Sequence, residues 1–452
     1  MAESTSESGT ETEVVRPPGP SGKPVVGSLV EYTRDPYGFV ERLAREYGDL
    51  AHYEVLGTPF YQVNSPEGIE HVLVQNNQNY VKGELFQESL GPVLGNGLLN
   101  SEGEFWRRQR RLIGPAFEPD RIAEYAETMV ERTEETAVRW RDGSVRDVND
   151  DMMELTLAIV ADALFGVDVG RDVDTVADSL EVVMNYQEGV SADVLPVDVP
   201  TPGKIRLRRA VDDLEDVVYR IVDERARDPG DDVVSRMLAV EDETGRGMSR
   251  DQIRDEVMTL LLAGHETTAL ALTYTFFLLA QHPEVERRLL DELDETLGGD
   301  PPTVEQVREL PYLDTVVEES MRLYPPVPGI VREATARDEI AGYTIPEGAT
   351  VSINQWSVHR DPRFYDDPMA FRPDRWTDEM REELPRLAYF PFSAGPRRCV
   401  GDRFAMLEAK VVLATLLQRY HLELVSSPEL DLVATITARP RNPVQMRVHE
   451  RA

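Results

Sequence analysis

The pattern of apolar and polar positions along the chain is dominated by a 3.6-residue period. Ile122, Tyr125, Met129, Val130, Ala137 and Trp140 recur at helical spacing, as do apolar positions over 152–164 ahead of Gly166, and Val211, Leu214, Val218 and Ile221. Ser249 followed by Gln252 is a capping-box signature, and from Arg250 nothing breaks the helical pattern until Gln281 and Pro283. That run predicts a rod of about 46 Å. Pro283 opens another helix closing near Gly298, and Thr303 with Gln306 is a second capping box. The stretch VVEESMRLYPPVP predicts a helix stopped by Pro325 and Pro326, and residues 404–420 predict an amphipathic helix. Strand-like patterns are shorter: residues 50–63 with a GTP turn after Leu56, the run IAGYTIPEGATVSINQWSVHRDP, and the chain end around ARPRNP. The fold class is mainly α with a smaller β-rich region.

Three stretches break the pattern. Residues 83–105 mix glycine with Leu85, Phe86, Leu90, Val93, Leu94, Leu98 and Leu99, which reads as an irregular loop with apolar contacts. Loops of that length usually carry function. Residues 186–205 hold Pro196, Pro200, Pro202 and Gly203 and read as a mobile helix-to-helix connection. Residues 1–15, MAESTSESGTETEVV, are acidic, small and polar, so they read as a disordered tail, with nothing resembling a signal peptide or membrane anchor.

Charge narrows the setting. The 452 residues include 83 acidic against 48 basic ones, a formal charge of -35, and only four of the basic residues are lysines: Lys23, Lys82, Lys204 and Lys410. Such a field repels nucleic acid and anionic membranes, and its self-repulsion strains a compact chain at low ionic strength. It points to a cytoplasmic protein of a halophile, with an ordinary acidic protein as the alternative. The apolar run over 257–280 raises a transmembrane reading. His265 and Glu266 lie near its middle, however, and a charge there costs a few kcal/mol in a bilayer, so the run reads as the buried axis of the molecule.

Candidate chemistry sits at four places. In AGHETT, a zinc-protease reading fails because the position four after His265 is Ala269. Small Ala263 and Gly264 clear space beside the helix, and Glu266 with Thr267 sets an acid beside a hydroxyl, as proton delivery to oxygen requires; the alternative is a polar notch filled by water. In WRRQRR, Trp106 and Arg110 share a helix face turned toward an anion, while Arg107, Arg108 and Arg111 await an acidic partner; the alternative is a solvated face. Glu319 and Arg322 also share a face, a pairing that contributes only about 0.3 to 0.5 kcal/mol if exposed. Finally, FSAGPRRCVG holds the only cysteine, Cys399, which can close no internal disulfide. It is either a small core residue or a thiolate kept for chemistry. Gly395 and Gly401 permit a tight turn and the approach of a flat ligand, Arg397 offers a fork of donors to a carboxylate, and the helix that follows favours a thiolate.

In their order WRRQR, AGHETT, EESMR, FRPDRW and FSAGPRRCVG, these motifs resemble the cytochrome P450 family of haem-thiolate monooxygenases, of the soluble prokaryotic type, and with the charge suggest a halophilic archaeon. The resemblance implies a single catalytic domain over 16–452 and haem b enclosed between the central helix and the cysteine loop. By the same resemblance Cys399 is the axial ligand of the haem iron, and Arg397, Arg332, Arg110 and Trp106 hold the propionates. Phe392 shields the sulfur, and Phe392, Gly395 and Gly401 match the family loop. Glu266 and Thr267 guide protons to dioxygen, while Glu319, Arg322 and Arg375 form a buried charge network behind the haem. Trp376 stands where phenylalanine is more usual. The implied reaction inserts one atom of dioxygen into a hydrophobic small molecule, lipid- or terpenoid-like, with electrons from a separate donor; the basic island suggests an acidic ferredoxin.

Overall fold

The computed structural model describes residues 15–167, 173–186, 201–242 and 244–451. Its axis is the helix Arg250–Leu279, which starts at Ser249 with both halves of the capping box made: the Ser249 hydroxyl accepts from the Gln252 N–H, and the Gln252 side chain accepts from the Ser249 N–H. Apolar residues surround this helix on every side, and Leu270, Leu272, Phe276 and Phe277 are at most 1 % exposed, so it can lie only in an interior. The helices Val148–Phe165, Pro202–Arg227, Pro311–Leu323 and Asp402–Arg419 pack around it. Among the described residues no helix is long and apolar enough to cross a membrane.

The β-rich region lies to one side. Leu50–Val55 and Thr58–Val63 form a hairpin whose two-residue turn, Leu56 and Gly57, has φ of 51° and 84°, the left-handed pair that matches strand twist. The sheet continues through Thr350–Ile353, parallel to the second strand, then Ile330–Ala334 and Tyr80–Val81. A small hairpin of Leu432–Ala434 and Ala438–Pro440 reaches toward the central helix. The observed architecture is mainly helical with a smaller β-rich part.

Two expectations from the sequence change. Residues 83–105 are not one irregular loop: Glu84–Leu94 is a helix closed by Gly95 at φ 52°, and Leu90, Val93 and Leu94 are buried in the main core. Gly91 and Pro92 disfavour a helix locally, and this packing outweighs them. In the proposed connection over 186–205, Pro202 and Gly203 do not interrupt a helix but begin one, with Thr201 capping the Lys204 N–H. Residues 187–200 of that connection, and 1–14 of the acidic tail, lie outside the described residues.

Candidate active site

Cys399 lies between a tight turn and the start of the helix Asp402–Arg419. Its N–H donates to the Phe392 carbonyl at 3.0 Å, which closes the loop on itself. Its accessible surface opens into an internal cavity, while dense surrounding protein pushes its thiol up from the ordinary value; the Gly401 N–H and the charges of Arg110 and Arg398 oppose that shift. Gly395 has φ 67°, and a Cβ there would lie 2.0 Å from the Leu73 carbonyl oxygen. Its smallness lets the loop pack against the Leu73 backbone. Gly401 lines the cavity, with Phe117 in ordinary contact range.

The cavity has a volume of about 650 Å³ and reaches from Cys399 and Phe392 to Ala263, Gly264, Glu266 and Thr267 of the central helix. Ala263 presents surface to it. Gly264 serves a second purpose, since a Cβ there would meet Val160 at 3.2 Å, so its absence also brings two core helices together. Thr267 donates its hydroxyl back to the Ala263 carbonyl at 2.8 Å. Glu266 is buried, accepts from the Thr437 hydroxyl at 3.1 Å, and meets Arg439 Nε at 3.2 Å. Burial raises its carboxyl to about 7 against the pull of Arg439 and Thr437, so it both holds and releases a proton near neutrality.

One edge of the site is cationic. Arg397 donates to the Ser101 carbonyl at 2.9 Å, pairs with Glu102, and stacks over the Trp106 ring at 3.9 Å. Arg332 is 9 % exposed and, among the described residues, donates from its side chain to the Val331 carbonyl alone; burial, then Arg397, lowers it to about 10. Arg110 is lowered by burial and feels Cys399. Lys82, which sequence reasoning missed, lies in the same group: its Nζ donates to the Leu99 carbonyl, and burial with Arg397 and Arg332 lowers it well below the ordinary lysine value. Glu102 is the carboxylate that offsets Lys82, Arg332 and Arg397. The surplus of buried cations calls for an anion.

The basic island is divided. Arg108 is committed within the chain, pairing with Asp242 at 2.6 Å and donating to the Arg246 and Gly247 carbonyls, so it does not await a partner. Arg107 pairs with Glu104 at the surface, and Arg111 is exposed.

Glu319 and Arg322 are fully buried, as the resemblance implies. Arg322 bonds both Glu319 oxygens at 2.9 Å and also reaches the His359 and Pro368 carbonyls. Arg375 adds a 2.8 Å bond to the same carboxylate, the Arg372 N–H a 3.0 Å bond, and Trp376 Nε1 a further bond at 3.0 Å. A hairpin near the chain end brings Thr437 and Arg439 to Glu266.

A cavity with one thiol on its wall, an acid and an alcohol opposite, and unneutralised cations at its edge fits a flat, anionic, metal-bearing cofactor. Comparison with known proteins gives the class its family. The Cytochrome P450 family model matches residues 17–447, and the chain belongs to that family. It is 37 % identical to cyclooctatin synthase of Streptomyces melanosporofaciens over 92 % of this chain and 93 % of the relative. It is 34 % identical to pentalenene oxygenase of Streptomyces avermitilis over 95 % and 96 %. Among solved structures, the haem domain of cytochrome P450DA superposes with a TM-score of 0.89 at 28 % identity, covering 97 % of this chain and 98 % of that one. The protein is a cytochrome P450 monooxygenase whose cofactor is haem b, bound through a cysteine thiolate.

Proposed function

We propose that the Cys399 thiolate would bind the haem iron and that Arg397, Arg332, Arg110 and Trp106, joined by Lys82, would hold the propionates. The observation that carries this reading is the single cavity joining the lone thiol to Glu266 and Thr267 beside a surplus of buried cations. Haem bound there supplies the activation of dioxygen, favoured by electron donation from the thiolate. Phe392 shields the sulfur from one side, Gly395 and Gly401 set the loop's path, and Ala263 and Gly264 keep the opposite wall low. Glu319, Arg322 and Arg375 fix the scaffold behind the loop. Glu266 takes a proton from solvent and passes it toward Thr267, whose hydroxyl holds it at the site where dioxygen reacts.

The enzyme inserts one atom of dioxygen into a hydrophobic small molecule. We infer a lipid- or terpenoid-like substrate: Phe86, Leu90, Leu164, Met184, Leu260 and Ile436 line the cavity, and relatives are named for cyclooctatin and pentalenene. We further propose a cytoplasmic, salt-adapted protein reduced by an acidic ferredoxin that docks on Arg107 and Arg111. Charge reversal at those two arginines slows reduction by the native donor; an unchanged rate contradicts that docking.

The test of the oxygen chemistry is turnover. Product formation requires both dioxygen and a reductant, and Thr267→Ala lowers product per electron consumed by about tenfold, a loss of order 1.4 kcal/mol. Equal turnover by both proteins with peroxide alone would favour a peroxide-using enzyme instead.

A further inference from the structure

Two neighbouring amides interrupt the apolar wall of the cavity. Asn354 and Gln355 both line it, and Asn354 Nδ2 and Gln355 Oε1 are buried without a hydrogen-bond partner among the described residues. Ser393 Oγ shares that condition on the cavity wall, but it belongs to the cysteine loop. Unpaired donors and acceptors are rare in an interior because each has lost its water and gained nothing in return. Asn354 stands at the N-cap of the short helix Gln355–Val358, where an asparagine commonly accepts from the backbone just ahead, yet its side chain makes no cap bond. The backbone beneath the pair is fixed. The strand Thr350–Ile353 is paired on both sides, the Trp356 N–H donates to the Pro328 carbonyl at 3.0 Å, and the His359 N–H donates to the Gln355 carbonyl at 2.8 Å. Gly329 lies on the same wall, and a Cβ there would come within 2.7 Å of Asn354 Oδ1, so glycine leaves that amide its room.

We propose that Asn354 and Gln355 are specificity-determining residues that bind a hydroxyl of the substrate, so that the substrate is an alcohol with an apolar body and not a plain hydrocarbon. The proposal rests on the reading of this cavity as the place where substrate and haem meet. A hydroxyl accepts one hydrogen bond and donates another, so it satisfies the Asn354 N–H and the Gln355 carbonyl oxygen together. An ether or a carboxylate only accepts, and leaves the Gln355 oxygen unpaired. An apolar wall by itself favours the hydrocarbon, because burying a hydroxyl strips it of water. The pair also gives the enzyme a place in a reaction sequence. A hydration or an earlier hydroxylation must supply the alcohol, and the oxygen atom inserted here gives a product with two oxygen functions.

Equilibrium dialysis of the haem-loaded, full-length protein against two matched pairs, farnesol with farnesene and cedrol with cedrene, tests this. In the wild type the alcohol of at least one pair binds as tightly as its hydrocarbon or more so, despite the water its hydroxyl gives up. Asn354→Leu and Gln355→Met keep the side-chain volume and remove the polar atoms. Each shifts the ratio of that pair's dissociation constants about tenfold toward the hydrocarbon, while hydrocarbon binding stays within about twofold. A wild type that favours the hydrocarbon in both pairs overturns the proposal without recourse to any variant, and so does a ratio unmoved in both variants. Haem content and the thiolate spectrum of the same preparations report separately on the assignment of the cavity, so a failure there is told apart from a failure of the amides.

Discussion

Trp376 shows how much one side chain decides in this protein. Glu319 is fully buried, and an unpaired charge there would be costly, so every donor around it counts. The Trp376 indole N–H reaches Glu319 Oε2 at 3.0 Å, the oxygen that Arg322 Nε also bonds. The sequence marked this position only as a tryptophan where phenylalanine is more usual, because the chain gives no sign of what the extra N–H would meet. Trp376→Phe removes that donor and keeps most of the ring, so it is expected to cost about 1–2 kcal/mol in urea unfolding. A change of a few tenths would show that the arginines satisfy Glu319 alone. The pairing of Glu319 with Arg322 was legible from their spacing; its burial followed only from the family resemblance, since burial depends on the 359–376 segment folding back over the helix Pro311–Leu323.

The central helix shows the same logic along an element. Its first half clamps the chain on both sides of Trp106: Glu256 accepts the Leu98 N–H and the Gln109 side chain, both at 2.9 Å. Burial raises the Glu256 carboxyl to about 7 from an ordinary 4.5. Between those values the folded chain holds a proton that the unfolded chain has lost, so this group's contribution to stability falls as pH rises from about 4.5 to about 7. Glu256→Gln removes the titration. Its stability relative to wild type is expected to improve by about 1–3 kcal/mol between pH 5 and pH 8; a difference independent of pH would contradict the assigned burial. Both capping boxes and the central rod were readable in advance, because their signals are local. The helix Glu84–Leu94 was not, because Gly91 and Pro92 speak against a helix that only the packing of Leu90, Val93 and Leu94 sustains.

At the scale of the molecule, the site is a meeting of distant segments. The ordered motifs placed Cys399, Arg397, Glu266 and Thr267 in one reading, but Lys82, Thr437 and Arg439 come from strands and turns far from any motif. The scarcity of lysine was the one available hint for Lys82. A formal charge of -35 spread over this fold repels itself, and salt screens that repulsion within about 3 Å at 1 M. The melting temperature is therefore expected to rise by several degrees between 0.1 and 2 M potassium chloride, and full stability without added salt would count against a salt-adapted protein. The central claim is that Cys399 ligates haem iron in this cavity. The carbon monoxide difference spectrum of the reduced protein tests it most directly: the account predicts the red-shifted thiolate band in wild type and its loss in Cys399→Ala. A haem-loaded wild type without that band, or a Cys399→Ala protein that keeps it, would contradict the assignment.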